Sequence, residues 1–154
     1  MYIAAIVLLL LVLPLASIAA EAFWLPASAQ DLMGLVGKWF TFWAVGVRLF
    51  LAGVSQVFRP QFTSEGILGI KDQGATAVVR ELGFANLSIG ALGLLSLAVP
   101  HWALPAAIVG GLFYGLAGLG HLLKGDRNLK EQVALASDLV MFLVLAAFVG
   151  SHVA

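Results

Sequence analysis

Five stretches of this chain are apolar for about the 20 residues that a helix needs to cross the hydrocarbon core of a bilayer. They cover residues 2–20, 40–58, 82–99, 103–123 and 132–153. No other feature constrains the fold as strongly. A backbone in lipid must satisfy its own hydrogen bonds, so each stretch reads as a helix. The composition agrees, because 62% of residues are hydrophobic and 10% charged, against about a quarter charged in a soluble domain. Too little polar surface remains to cover a globule in water. The expected fold is an all-α polytopic membrane protein. It is one transmembrane domain over residues 1–154, an N-terminal helix followed by a four-helix core.

The first stretch has a rival reading as a cleaved signal peptide, since it runs into the small residues "ASIAAEA". No Lys or Arg precedes the apolar run, however, and a signal peptide starts positive. A retained helix kinked at Pro14 is the expectation.

The connections differ in length. "EAFWLPASAQDLMGLVGKW" is expected along the membrane interface, with Trp24 and Trp39 at headgroup level. "RPQFTSEGILGIKDQGATAVVRE" is the longest polar stretch. Thr63, Ser64 and Glu65 are expected to open a short interfacial helix there, and Asp72 to cap a longer one running into the third span. "PHWALP" is a tight hairpin. In "KGDRNLKEQ", Asn128 and Glu131 have the spacing of a capping box at the start of span five.

Basic residues set the expected orientation. Arg59, Lys71 and Arg80 fall between spans two and three, and Lys124, Arg127 and Lys130 between spans four and five. Lys38 alone falls on the opposite side outside a span. The positive-inside rule puts the two basic loops and the N-terminus in the cytoplasm, and the C-terminus outside.

Several functions are excluded. Eight basic and eight acidic residues balance to zero, which argues against nucleic acid as a partner. Cysteine is absent, which removes disulfides, thiol chemistry, iron–sulfur ligation and Cys-based zinc sites. No Walker A loop, HExxH, Rossmann fingerprint or nucleophile elbow occurs. "GGLFYGLAGLG" is glycine-rich but lies inside a span without a lysine, so it serves packing. His101 and His152 fall at the edge opposite His121, so the three histidines do not form one metal site.

Polar residues at membrane depth are costly and mark buried partners or cavities. Six stand out: Arg48, Gln56, Glu81, Asn86, His121 and Asp138. Depth follows from about 1.5 Å per helical residue, measured from the basic-loop end. Glu81 is at the boundary, and Gln56 and His121 lie about one turn in. Asn86 is about 7 Å, Asp138 about 10 Å and Arg48 about 15 Å deep. All fall in the same half of the bilayer. Gly83, Asn86, Gly90 and Gly93 share a face of span three, while Glu81 points toward Ala85 and Ser88. Gly110, Tyr114, Ala117 and His121 share a face of span four, beside Gly111, Gly115 and Gly118. Small-residue stripes let helices approach closely in lipid, so spans three and four are expected to pack as an antiparallel pair.

Each polar group has two readings. Arg48 with Asp138 is either an ion pair pinning span two to span five, which is favoured, or part of a proton relay or anion site. His121 near Glu81 or Asn86 is either an interfacial histidine bonded to a backbone carbonyl, which is favoured, or a contact to haem, chlorophyll or a quinone.

At "RELGFANLSIGALGLLSL" and "GGLFYGLAGLGHLL" the chain resembles a family of small bacterial inner-membrane proteins catalogued only as a domain of unknown function. The shared pattern is Phe58 and Pro60; then Glu81, Gly83, Ala85, Asn86, Gly90 and Gly93; then Gly120 and His121; then Asp138 early in the last helix. It covers roughly residues 40–150. More loosely, the core is similar to DoxX-like four-helix membrane proteins, some linked to quinone or sulfur redox chemistry. That likeness is one of architecture and carries over no catalytic residue.

The sequence reading favours a non-enzymatic accessory or assembly subunit of a larger complex in the bacterial inner membrane. Its partners would be the lipid bilayer and other membrane subunits or further copies of itself. The alternative is a small redox-linked protein that binds a quinone or lipid-like amphiphile near Arg48, Asn86, His121 and Asp138. An oligomeric transporter ranks third.

Overall fold

The computed structural model describes residues 2–25 and 31–153, and among these no strand occurs. Five helices are long and apolar enough to cross a membrane: Tyr2–Trp24, Leu32–Phe58, Gly74–Leu95, Pro100–Leu123 and Leu129–Val153. These are spans one to five, and the protein is an all-α membrane protein. Residues 26–30, part of the expected interfacial segment, lie outside the described residues.

Span two starts earlier than its apolar run suggests. Leu32–Phe40 is helical and continues straight into it. Lys38 tolerates this position because Glu21 of span one meets it at 2.7 Å. Trp39 Nε1 donates to the same carboxylate at 2.7 Å, and Trp43 Nε1 donates to Ser17 Oγ at 3.0 Å. Span one is thus tied to span two near the end away from the basic loops. Trp24 is exposed, while Trp39 is partly buried against this tie. Two segments are wound as π-helix, Leu8–Val12 in span one and Thr41–Arg48 in span two.

The tightest packing joins span four to span five and span two to span three. Glycine makes both possible. A Cβ at Gly90 would lie 2.5 Å from Phe50 N, and one at Gly53 would lie 2.7 Å from Leu87 N. Gly83 faces Gln56 and Val57, and Gly93 faces Gly46. In the other pair, Gly115 receives Phe142 and Gly118 receives Leu139, while Gly111 meets Leu145 at ordinary contact distance. The expected pairing of spans three and four is therefore corrected. They touch, but their glycine stripes turn away from one another. A stripe says which face approaches a neighbour closely, and not which neighbour. The buried apolar core lies where spans one, two, four and five meet, around Leu10, Ala44, Val45, Leu49, Ala107, Met141, Leu145 and Phe148.

The connections follow local chemistry. The short helix Pro60–Ser64 is opened by Pro60, which suits the first helical position, and Thr63 and Ser64 close it instead of opening it. Asp72 caps the helix of span three, accepting from Gly74 N at 2.8 Å. The capping box of span five is complete. Asn128 Oδ1 accepts from Glu131 N at 3.1 Å, and Glu131 Oε2 accepts from Asn128 N at 3.1 Å.

Candidate functional site

A half-open cavity of about 360 Å³ lies in the bundle toward the basic-loop end. Span one contributes Tyr2, Ala5, Ile6 and Leu9, and span two Arg48, Leu49, Leu51, Ala52, Ser55 and Gln56. Leu82 and Asn86 come from span three, Phe113, Tyr114, Ala117 and His121 from span four, and Ala134 and Asp138 from span five. Phe62, Thr63, Ile67 and Leu68 close the end. Five of the six polar residues singled out by depth thus meet on one cavity: Arg48, Gln56, Asn86, His121 and Asp138. Glu81 does not join them and is exposed on another face of span three.

Arg48 and Asp138 form the charged centre of the lining. Nη1 and Nη2 of Arg48 both donate to Asp138 Oδ1, at 3.3 and 3.2 Å. The Arg48 side chain is 16% exposed and that of Asp138 7%. Sequestering two charges is tolerable only because they are paired. The Tyr114 ring lies 5.1 Å from the guanidinium carbon and supports it by a cation–π contact. The Tyr114 hydroxyl donates to the Ala44 carbonyl at 2.5 Å. Ala44 lies within the π-helical segment Thr41–Arg48, so this bond anchors Tyr114 of span four to span two beside Arg48.

The amide pair is the second polar element. Asn86 Nδ2 donates to Gln56 Oε1 at 2.7 Å, which joins spans two and three inside the membrane. Asn86 sits on the glycine stripe, where the helices are too close for a larger neighbour.

A loop covers the cavity and is clamped from above. Lys130 Nζ donates to Gly66 O at 2.7 Å, Asn128 Nδ2 to Ile67 O at 2.8 Å and Lys124 Nζ to Leu68 O at 3.2 Å. Gly69 lets the chain leave this cover at φ +72°. Lys124 also pairs with Glu131, which is 1% exposed. Arg127 Nη1 donates to the carbonyls of His121 and Leu122 at 2.9 and 3.0 Å, closing the C-terminus of span four.

Sequence reasoning leaves several of these residues out. Tyr114 shares a face with His121, and its spacing placed it beside the site without naming its role. Tyr2 gave no signal within an apolar run. Glu131 was visible only as a cap. Among the described residues, no three His, Asp or Glu side chains converge as a metal site.

Residues 2–152 match a family described as a family of unknown function, DUF6790. The chain belongs to the DUF6790 family. The match takes in span one, so the family unit is the whole five-span bundle and not only residues 40–150. No curated protein and no solved structure matches this DUF6790 chain. Membership names no function, so the cavity itself carries the functional reading.

Proposed function

We propose that this protein binds a small amphiphile within one leaflet, holding its polar end in the cavity. The carrying observation is the contrast within the lining. Polar side chains from spans two to five converge on about 360 Å³, while the exposed lining residues Ala5, Leu51 and Phe62 are all apolar. A water-soluble ligand would meet an apolar threshold. A lipid-like molecule meets a surface like its own tail and then a polar interior, which is how small-molecule sites are built. The volume falls within the range of about 300–1,000 Å³ usual for such pockets. A lipid or a quinone fits this description.

The accessory-subunit reading rests on small size, short loops and glycine-rich faces. It needs the polar layer only as glue, for which a filled layer suffices; the void favours a guest. The basic loops, with six Lys or Arg against Lys38 on the other side, support a cytoplasmic location for the cavity end and the N-terminus. A bacterial inner membrane is the setting proposed.

The test is native mass spectrometry of protein extracted from its own membrane in mild detergent. Wild type should carry a small-molecule adduct. Ala117→Phe, which projects a ring into the cavity, should lose it with helical content unchanged. Wild-type protein that is bare and also takes up no added amphiphile would remove the reading.

A further inference from the structure

The binding reading leaves open which head group the cavity accepts, and the Arg48–Asp138 pair answers it. Both N–H bonds from Arg48 fall on one oxygen, Asp138 Oδ1. A guanidinium has five donors and a carboxylate about four acceptor positions. The pair thus keeps unused donors on one member and a second oxygen that Arg48 does not engage on the other. Both side chains line the cavity and keep a small exposure. Both members border the same cavity, and their charges cancel.

Resting on the amphiphile-binding reading, we infer that this site takes the hydroxyl group of a neutral amphiphile, an alcohol or a phenol. Its O–H donates to Asp138 and its oxygen accepts from Arg48. A hydroxyl is the smallest group that does both at one atom. A phosphate or carboxylate head is disfavoured. It would compete with Asp138 for Arg48 and leave a buried carboxylate beside another anion. An ammonium head meets the mirror-image conflict with Arg48. An ester or ketone accepts from Arg48 but offers Asp138 nothing. The amide pair of Gln56 and Asn86 adds further neutral polarity and no charge. The apolar exposed lining at Ala5, Leu51 and Phe62 leaves the tail toward lipid.

The experiment uses the full chain in phosphatidylcholine nanodiscs. Five probes are titrated: farnesol, farnesyl methyl ether, farnesyl phosphate, geranylhydroquinone and its dimethyl ether. Binding is read by native mass spectrometry and by the shift in unfolding temperature. Farnesol, geranylhydroquinone or both should bind, and the one that binds identifies the source as an aliphatic alcohol or a phenol. The matching ether should bind about tenfold more weakly, because it strands a buried acceptor. Farnesyl phosphate should bind less tightly than farnesol. Asp138→Asn should narrow the gap between alcohol and ether. An ether or the phosphate binding as tightly as the hydroxyl compound overturns the inference. So does failure of all five probes on protein that carries a native guest, a result that leaves the amphiphile-binding reading standing. Wild type that is bare in its native extract and ignores all five probes removes both.

Discussion

Arg48 and Asp138 stand 90 residues apart in sequence and meet at 3.2 Å inside the bundle, joined through a single carboxylate oxygen. That relationship ties span two to span five and sets the polarity of the cavity, so breaking it has two separable effects.

The first effect is on stability. Removing one member leaves the other charge unpaired, at a cost of about 3–5 kcal/mol. Arg48→Met and Asp138→Leu should each lower the unfolding temperature in detergent sharply. The double substitution should recover much of the loss, because neither charge is then stranded. A double variant as unstable as the sum of the singles would show that the pair is not what couples these positions.

The glycine faces give a paired prediction. Gly90→Ala places a methyl 2.5 Å from Phe50 N, against backbone that cannot yield. It should destabilise by about 1–3 kcal/mol, the range for overpacking. Gly111→Ala meets Leu145 Cβ at 3.4 Å and should be tolerated. Thermal unfolding of the two variants side by side decides the matter.

The cover over the cavity depends on Asn128. Its side chain caps span five and holds the Ile67 carbonyl. Asn128→Ala should cost about 1 kcal/mol through the lost cap. It should also speed proteolysis between residues 64 and 72. Faster cleavage elsewhere, with this loop unchanged, would count against the clamp.

The absence of cysteine makes orientation easy to measure. Single cysteines at Gly125 and at His101 fall at opposite ends of span four. In intact spheroplasts an impermeant maleimide should label His101→Cys at once and Gly125→Cys only after lysis. The reverse pattern would invert the proposed topology.

The five spans were legible because an apolar run of membrane length has few other uses in a chain with so little charge. The Arg48–Asp138 pair was legible because two opposite charges at comparable depth in lipid have little choice but each other. Helix partners were not. Gly83, Gly90 and Gly93 announced a close approach, and the sequence held nothing to say that Phe50 and Gly46 would fill it. The early start of span two was hidden by Lys38, whose charge is met by Glu21 from the preceding helix. The π-helical winding at Thr41–Arg48 left no mark in residue pattern, and neither did the bond from Tyr114 to the Ala44 carbonyl, which depends on how spans two and four meet.

The glycine contacts also have a mechanical consequence. Spans two and three are fused at backbone distance, and spans four and five are locked by side chains seated on glycine, while the cavity draws its walls from both pairs. The molecule is therefore two stiff plates with a pocket along their seam. Loads within a plate meet backbone and side chains already in contact. Loads across the seam meet the ion pair, the Tyr114–Ala44 bond and the apolar core, so the volume of the pocket is set by how the plates are aligned.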